Sequence, residues 1–178
     1  GALMKIILDA MGGDHAPEQI VLGALQAAEE FGAEIILVGK GETILSHMKA
    51  HGIDTLPSGV EIANADDVVD MHDDPGSVIH KRKNSSMIVG LRMLAEGQGD
   101  AFVSAGSTGA VLVGGQVIVG RIKGVERPPL APLIPTEKGV SLLIDCGANV
   151  DARPSHLVQF AKMGSIYMEN VVGVKNPR

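Results

Sequence analysis

The chain has no tryptophan, one tyrosine and three phenylalanines, so aromatic residues make up only 2% of its 178 positions. That scarcity excludes a platform that stacks successive nucleic-acid bases on aromatic rings. A single cysteine, Cys146, excludes an internal disulfide and a cysteine zinc cage, and a reducing cytoplasm is the expected compartment. Positive charge is in deficit. Fifteen Lys and Arg stand against 21 Asp and Glu, for a net charge of -6, which speaks against generic nucleic-acid binding. No apolar run reaches the roughly 18 residues that a membrane-spanning helix needs. The longest, Ala110 to Val119, is interrupted by Gly114, Gly115 and Gln116. No signal peptide is visible, and Gly1-Ala2-Leu3 ahead of Met4 reads as an expression scar.

What is present is enough apolar residue, 45%, to build a core in one domain of ordinary size. Lys5 to Asp9, Glu34 to Val38, Val60 to Ala63 and Ala101 to Ser104 read as short buried strands. Helices are expected between them. One follows Pro17, carries Ile20, Val21, Ala24, Leu25, Ala28 and Phe31 at helical spacing, and stops at Gly32. Others are expected over Glu42 to Ala50, from a cap at Asn84 or Ser85 to Gly97, over Thr108 to Val119, and over Pro154 to Met168. Asp66 to Ser77 is the most loop-like stretch. Leu130 to Pro135 and Val140 to Asp145 bracket Thr136-Glu137-Lys138-Gly139 as a β-hairpin. The alternation predicts a three-layer α/β/α fold with a mostly parallel sheet, made mixed by the hairpin.

In such sheets ligands bind beyond the carboxyl ends of the strands, where turns and helix N-termini offer N–H groups to anions. Four segments sit where a strand hands over to a helix or turn. In Ser104-Ala-Gly-Ser-Thr-Gly109, Gly106 and Gly109 allow close backbone approach, and Ser104, Ser107 and Thr108 add hydroxyls. Two readings stand there, a phosphate cradle and a helix cap built of small residues for tight packing. Lys81-Arg82-Lys83 precedes the helix that starts near Ser85, where cations are unfavourable unless anions offset them. Asp66, Asp67, Asp70, Asp73 and Asp74 could do so, as could a phosphate or an acidic partner. In Asp9 to Pro17, Gly12 and Gly13 permit a turn with positive φ, Asp14 is a candidate cap, and His15 is either a general acid or a surface residue. In Asp145 to Asn149, Asn149 either bonds a ligand or occupies a left-handed position, and Cys146 reads as a buried spectator. Arg121, Lys123 and Arg127 form a second basic group, open to an acidic partner or to ordinary surface pairing. No clear metal-binding carboxylate set is visible.

Taken together and in order, these segments resemble the phosphate acyltransferase (PlsX) family of fatty acid/phospholipid synthesis proteins. Asp9 to Pro17, Ser85-Ser86-Met87 after the basic run, Gly120 to Gly124, Gly147 to Asp151 and Met163 to Tyr167 carry the resemblance. It runs from Met4 to Arg178 and covers about the first half of the family's length. The family usually has Asn where this chain has Ser107; a hydroxyl keeps a donor but loses reach. The resemblance implies an isocitrate/isopropylmalate dehydrogenase-like fold and transfer of an acyl group from acyl carrier protein to inorganic phosphate. No cofactor or metal is implied. It implies His15, Lys83 and Asn149 as catalytic residues, and Ser104, Gly106, Ser107, Thr108 and Gly109 as the phosphate site. Lys81, Arg82 and Arg121 would meet the carrier. It also implies a cytoplasmic homodimer that can associate peripherally with membrane. The rival readings are a phosphotransacetylase-like enzyme using acyl-CoA, and an inactive fragment that binds phosphate or a partner.

Overall fold

The computed structural model describes residues 4–178; the expected expression scar, residues 1–3, lies outside them. Where composition suggested one domain of ordinary size, the chain forms two compact units, one running to Gly120 and one over Arg121–Arg178.

The first unit is built on a four-stranded sheet. Its strands are β1 (Lys5–Asp9), β2 (Glu34–Gly39), β3 (Val60–Asn64) and β4 (Ala101–Val103), in the order β3-β2-β1-β4 and all parallel. The helices are α1 (Glu18–Phe31), α2 (Gly41–Ala50), α3 (Pro75–Lys81), α4 (Ser86–Ala95) and α5 (Thr108–Gly114), the last running on as a π-helical turn over Gly115–Val119. Successive residues of β2 feed opposite faces, as strand geometry requires. Ile35 and Leu37 join Val21, Ala24, Leu25 and Ala28 of α1 and Ile44 and Met48 of α2 in one core. Ile36 and Val38 join Ile7 and, from α4, Val89, Met93 and Leu94 in the other. Both faces of β2 are therefore covered, which explains its unbroken apolar run and gives the three expected layers. Phe31, expected in the α1 stripe, is 73% exposed; the stripe ends one turn earlier, at Ala28.

Two stretches depart from expectation here. Asp66 to Ser77 is not all loop, because Asp74 accepts a hydrogen bond from the Ser77 N–H (2.9 Å) and Pro75 opens α3. The expected cap at Asp14 is not used; α1 follows Pro17 without a side-chain cap bond. Ser85 caps α4 as expected, its hydroxyl accepting from the Ile88 N–H (3.4 Å), an arrangement worth about 1 kcal/mol.

The second unit holds a hairpin, β5 (Leu133–Thr136) and β6 (Gly139–Leu142), and α6 (Pro154–Tyr167), which runs on as a π-helical turn over Met168–Val172. The strands pair antiparallel with Thr136 opposite Gly139, as the turn residues predict. Among the described residues the hairpin is a two-stranded sheet of its own, so the parallel sheet is not made mixed by it. Its strands are short; β5 is exposed throughout, whereas Val140 and Leu142 of β6 are half-buried, Leu142 lying against Gly164 of α6. In α6 the His156 ring is buried, accepts the Arg153 N–H at Nδ1 (3.1 Å) and meets Glu126 through Nε2 (2.9 Å). A neutral ring that accepts at Nδ1 carries its proton at Nε2, so it donates to the carboxylate.

Candidate functional site

The strand order reverses between β1 and β4: the chain steps outward from β1 through β2 to β3, then returns to place β4 on the other side of β1. That crevice is where open α/β sheets bind ligands. The turns after β1 and β4 meet there. Asp9, the last residue of β1, is 1% exposed. Its Oδ2 accepts the Ser104 hydroxyl (2.7 Å) and its Oδ1 accepts the Met11 N–H (3.2 Å). Ser104 Oγ accepts the Gly106 N–H (3.0 Å). Sequence reading placed Asp9 only within its motif and gave it no role; its partner lies 95 residues away, beyond the reach of any local pattern.

The glycines of these turns answer to protein contacts. A Cβ on Gly12 would stand 2.4 Å from Asp9 Oδ2 and 2.9 Å from Ser104 Oγ. Gly13 is the one with positive φ, +115°. A Cβ on Gly106 would stand 3.3 Å from the Gly12 Cα, and one on Gly109 would stand 2.9 Å from Pro75 Cγ. Close packing thus accounts for Gly106 and Gly109 without a ligand. The Ser107 hydroxyl is a helix cap, accepting from the Ala110 N–H (3.3 Å). Among the described residues the N–H groups of Ser107, Thr108 and Gly109, which open α5, have no hydrogen-bond partner, and Thr108 is exposed.

A cavity of about 270 Å³ lies against these turns, lined by Met11, Gly13, Asp14 and Gly106 together with Val68, Val69, Asp70, Met71 and Arg82. The wall opposite the glycines comes from the segment after β3. Arg82 ties that wall down, giving Nε and Nη2 to the two carboxylate oxygens of Asp73 (2.9 and 3.2 Å) and Nη1 to Asp67 (3.2 Å). The Arg82 hydrogen bond and the Asp70 N–H hold the Asp73 carboxyl below its ordinary value, and Asp73 and Asp67 raise that of Arg82. The basic run precedes α4 as expected, with aspartates offsetting Arg82, but it also falls at the end of another helix. Lys81 ends α3 and Arg82 follows as its C-cap, where the helix dipole favours cations. Lys83 is exposed and contributes its carbonyl to Arg92 (3.2 Å). His15 is exposed in the turn before α1, and its carbonyl accepts the Gln19 N–H (3.1 Å).

His15, Lys81, Arg82, Lys83 and the Ser104–Gly109 turn belong to the first unit, and Asn149 and Arg121 to the second. There Asp145 gathers its loop, accepting from the N–H groups of Leu130 (2.7 Å), Ala148 (3.2 Å) and Asn149 (2.8 Å) and from the Asn149 amide (3.1 Å). Burial pushes the Asp145 carboxyl up, but these bonds outweigh it and hold the group below its ordinary value. The Asn149 amide also donates to the Pro128 carbonyl (3.2 Å), so both its protons serve the loop. Cys146, expected to be buried, is exposed: β6 ends at Leu142, and the cysteine lies in the loop beyond. The Arg121 guanidinium meets the Glu126 carbonyl, and Arg127 meets that of Asp151 (3.5 Å). Among the described residues no three His, Cys, Asp or Glu side chains gather as a metal site.

The parallel sheet, its covered faces and the glycine turns at its reversal define an α/β protein with a cavity at the switch point. A solved phosphotransacetylase from Streptococcus pyogenes shares this fold, with a TM-score of 0.67 and 21% identity over 90% of this chain and 52% of that one. The family described as "Fatty acid synthesis protein" matches residues 4–178, and the chain belongs to it. Similar proteins named phosphate acyltransferase come from Desulforamulus reducens (50% identical over 176 residues), Bacillus licheniformis (49% over 177) and Desulfitobacterium hafniense strain Y51 (47% over 176). The matches cover 98–99% of this chain and 52% of each relative, so the chain spans about half their length.

Proposed function

We propose that this chain is part of an acyltransferase that moves an acyl group from acyl carrier protein to inorganic phosphate. The observation that carries the reading is the meeting of two small-residue turns at the sheet reversal, in a chain whose relatives bear the name phosphate acyltransferase. A phosphate oxygen attacks the thioester carbonyl carbon, the C–S bond breaks, and the carrier thiolate leaves and takes up a proton. Phosphate is its own nucleophile, so the protein has to hold it beside the thioester and stabilise the oxyanion that develops. The turn Ser104–Gly109 is the proposed cradle. The N–H groups of Ser107, Thr108 and Gly109 and the Thr108 hydroxyl face no competing partner among the described residues. Ser104 and Gly106 shape the turn rather than lend it free donors, since the Ser104 proton goes to Asp9 and the Gly106 N–H to Ser104. Lys83 and His15 supply the charge and proton beside it in this reading. Asn149 retains its carbonyl oxygen as its unused polar group. Lys81, Arg82 and Arg121 are the proposed contacts of an acidic carrier, with Arg82 limited by its aspartate partners. The proposed setting is the cytoplasm, as a dimer with peripheral membrane contact.

The test is acyl phosphate formation from acyl carrier protein and phosphate, by this chain and by one extended to the length of its relatives, with acyl-CoA as a parallel donor. Product from carrier and not from acyl-CoA supports the reading, and the reverse moves the assignment to a phosphotransacetylase-like enzyme. Activity only in the longer protein makes these 178 residues one part of the site. No activity in either favours a binding fragment. In the active protein Lys83→Ala should weaken phosphate use, and unchanged phosphate dependence removes Lys83 from the site.

A further inference from the structure

Asp9 is a carboxylate with 1% of its surface accessible. Such a group is costly unless its lone pairs are met. They are met here by the turns on either side of the sheet reversal: Oδ1 accepts the Met11 N–H (3.2 Å) and Oδ2 the Ser104 hydroxyl (2.7 Å). Ser104 Oγ passes the link on, accepting the Gly106 N–H (3.0 Å). Met11, Gly13 and Gly106 line the cavity, so one buried carboxylate fixes both turns that form its wall. No ligand reaches Asp9 itself. Gly12 closes over it so tightly that a Cβ would lie 2.4 Å from Oδ2.

We propose that Asp9 is a positioning residue for the phosphate cradle, acting through Ser104. The carboxylate accepts the hydrogen bond of the Ser104 hydroxyl and so keeps that hydroxyl turned away from the cavity. The hydroxyl lone pair is then left to hold the Gly106 N–H, and with it the spacing between the β4–α5 turn and the β1–α1 turn. Asp9 and Ser104 set where the free N–H groups of Ser107, Thr108 and Gly109 stand, without touching phosphate. This rests on the reading of Ser104–Gly109 as the phosphate site.

The variants are Asp9→Asn, Ser104→Ala and Ser104→Thr, in the protein extended to the length of its relatives. Thermal midpoint, kcat, and KM for inorganic phosphate and for the acyl donor are measured on each. Asp9→Asn and Ser104→Ala should raise KM for phosphate by about ten- to a hundredfold, the scale on which a displacement of about 1 Å registers. KM for the acyl donor should stay near the parent value. Ser104→Thr keeps the hydroxyl and should recover most of the phosphate affinity. The double variant Asp9→Asn/Ser104→Ala should be no worse than the worse single one, because both cut the same link. Parent-like phosphate KM in the single variants overturns the proposal, as does an equal loss for phosphate and acyl donor. If Asp9→Asn does not fold, the contrast between Ser104→Ala and Ser104→Thr decides. Direct titration of inorganic phosphate, followed by phosphorus NMR, separates this proposal from the acyl-transfer reading. A parent protein that binds phosphate but forms no acyl phosphate sinks acyl transfer alone, and the variants' phosphate affinities then decide the role of Asp9. A parent that does neither overturns both.

Discussion

At the residue scale, two carboxylates organise the loops, one in each unit. Asp9 is roofed by Gly12, which has no room for a methyl group. Gly12→Ala should push the carboxylate off Ser104 and destabilise the protein by about 1–3 kcal/mol, the usual range for overpacking a close-packed interior. A denaturant midpoint equal to that of the parent would show that the turn yields freely. Asp145 accepts four hydrogen bonds from the loop around it. Asp145→Ala should cost about 1.5–3 kcal/mol, as for loss of a hydrogen-bonded charge, and should deprotect the Leu130 and Asn149 amides in hydrogen exchange. The pH dependence has a definite sign. The folded carboxyl sits below the ordinary value of 3.8, so its contribution is complete above that value and is lost as pH falls through the lower folded one. Protection of these amides should be flat from neutrality down to about pH 5 and should fall only below about pH 4.

At the scale of elements, the segment from β3 to α4 is held by side chains more than by core. Val69 and Val78 are buried, but Asp66, Asp70, Met71 and His72 are exposed, and Arg82 clamps Asp73 and Asp67. Arg82→Ala should speed exchange of the Asp70 and His72 amides while leaving those of β1 and β2 unchanged, and high salt should produce part of the same effect. Uniform exchange in the variant and the parent would make the clamp ornamental. This segment also marks where sequence reading ran short. The strands β1 to β4 and helices α1, α2, α4 and α6 were legible because apolar runs and helical stripes announce them. The seven residues of α3 carry one buried side chain, Val78, too few for any period to emerge. Its signal was Asp74 followed by Pro75, a cap and an N-terminal proline inside a run of aspartates. The helix expected over Thr108 to Val119 exists in length, but its bonding pattern changes at Gly115, and nothing in residue type marks the change. At the candidate site, the turns were legible as strand-to-helix junctions. The link between Asp9 and Ser104 was not, because it depends on which strands become neighbours.

At the scale of the whole molecule, the apolar surface is the feature with consequences. Ile122, Val150, Leu157, Val158, Ile166 and Val171 of the second unit are 56–96% exposed. Apolar side chains in such number on one short unit make association favourable. The 178-residue chain should bind a hydrophobic dye and elute at an apparent mass that rises with concentration, and the version extended to the length of its relatives should do so less. Equal dye binding by both would show that the extension does not cover these residues. The parallel sheet has a different consequence, one of timing. As the chain leaves the ribosome, β1, β2 and β3 are complete once Asn64 has emerged, but β1 still lacks its other neighbour. Its Lys5 N–H and carbonyl wait for Asp100, and the Asp9 carboxylate waits for Ser104. Until then a charge destined for the interior must stay in water, so the nascent sheet stays open along its β1 edge. The crevice thus forms only after some hundred residues have been made, and a chain stalled before Ala101 holds three of the four strands with no crevice at all.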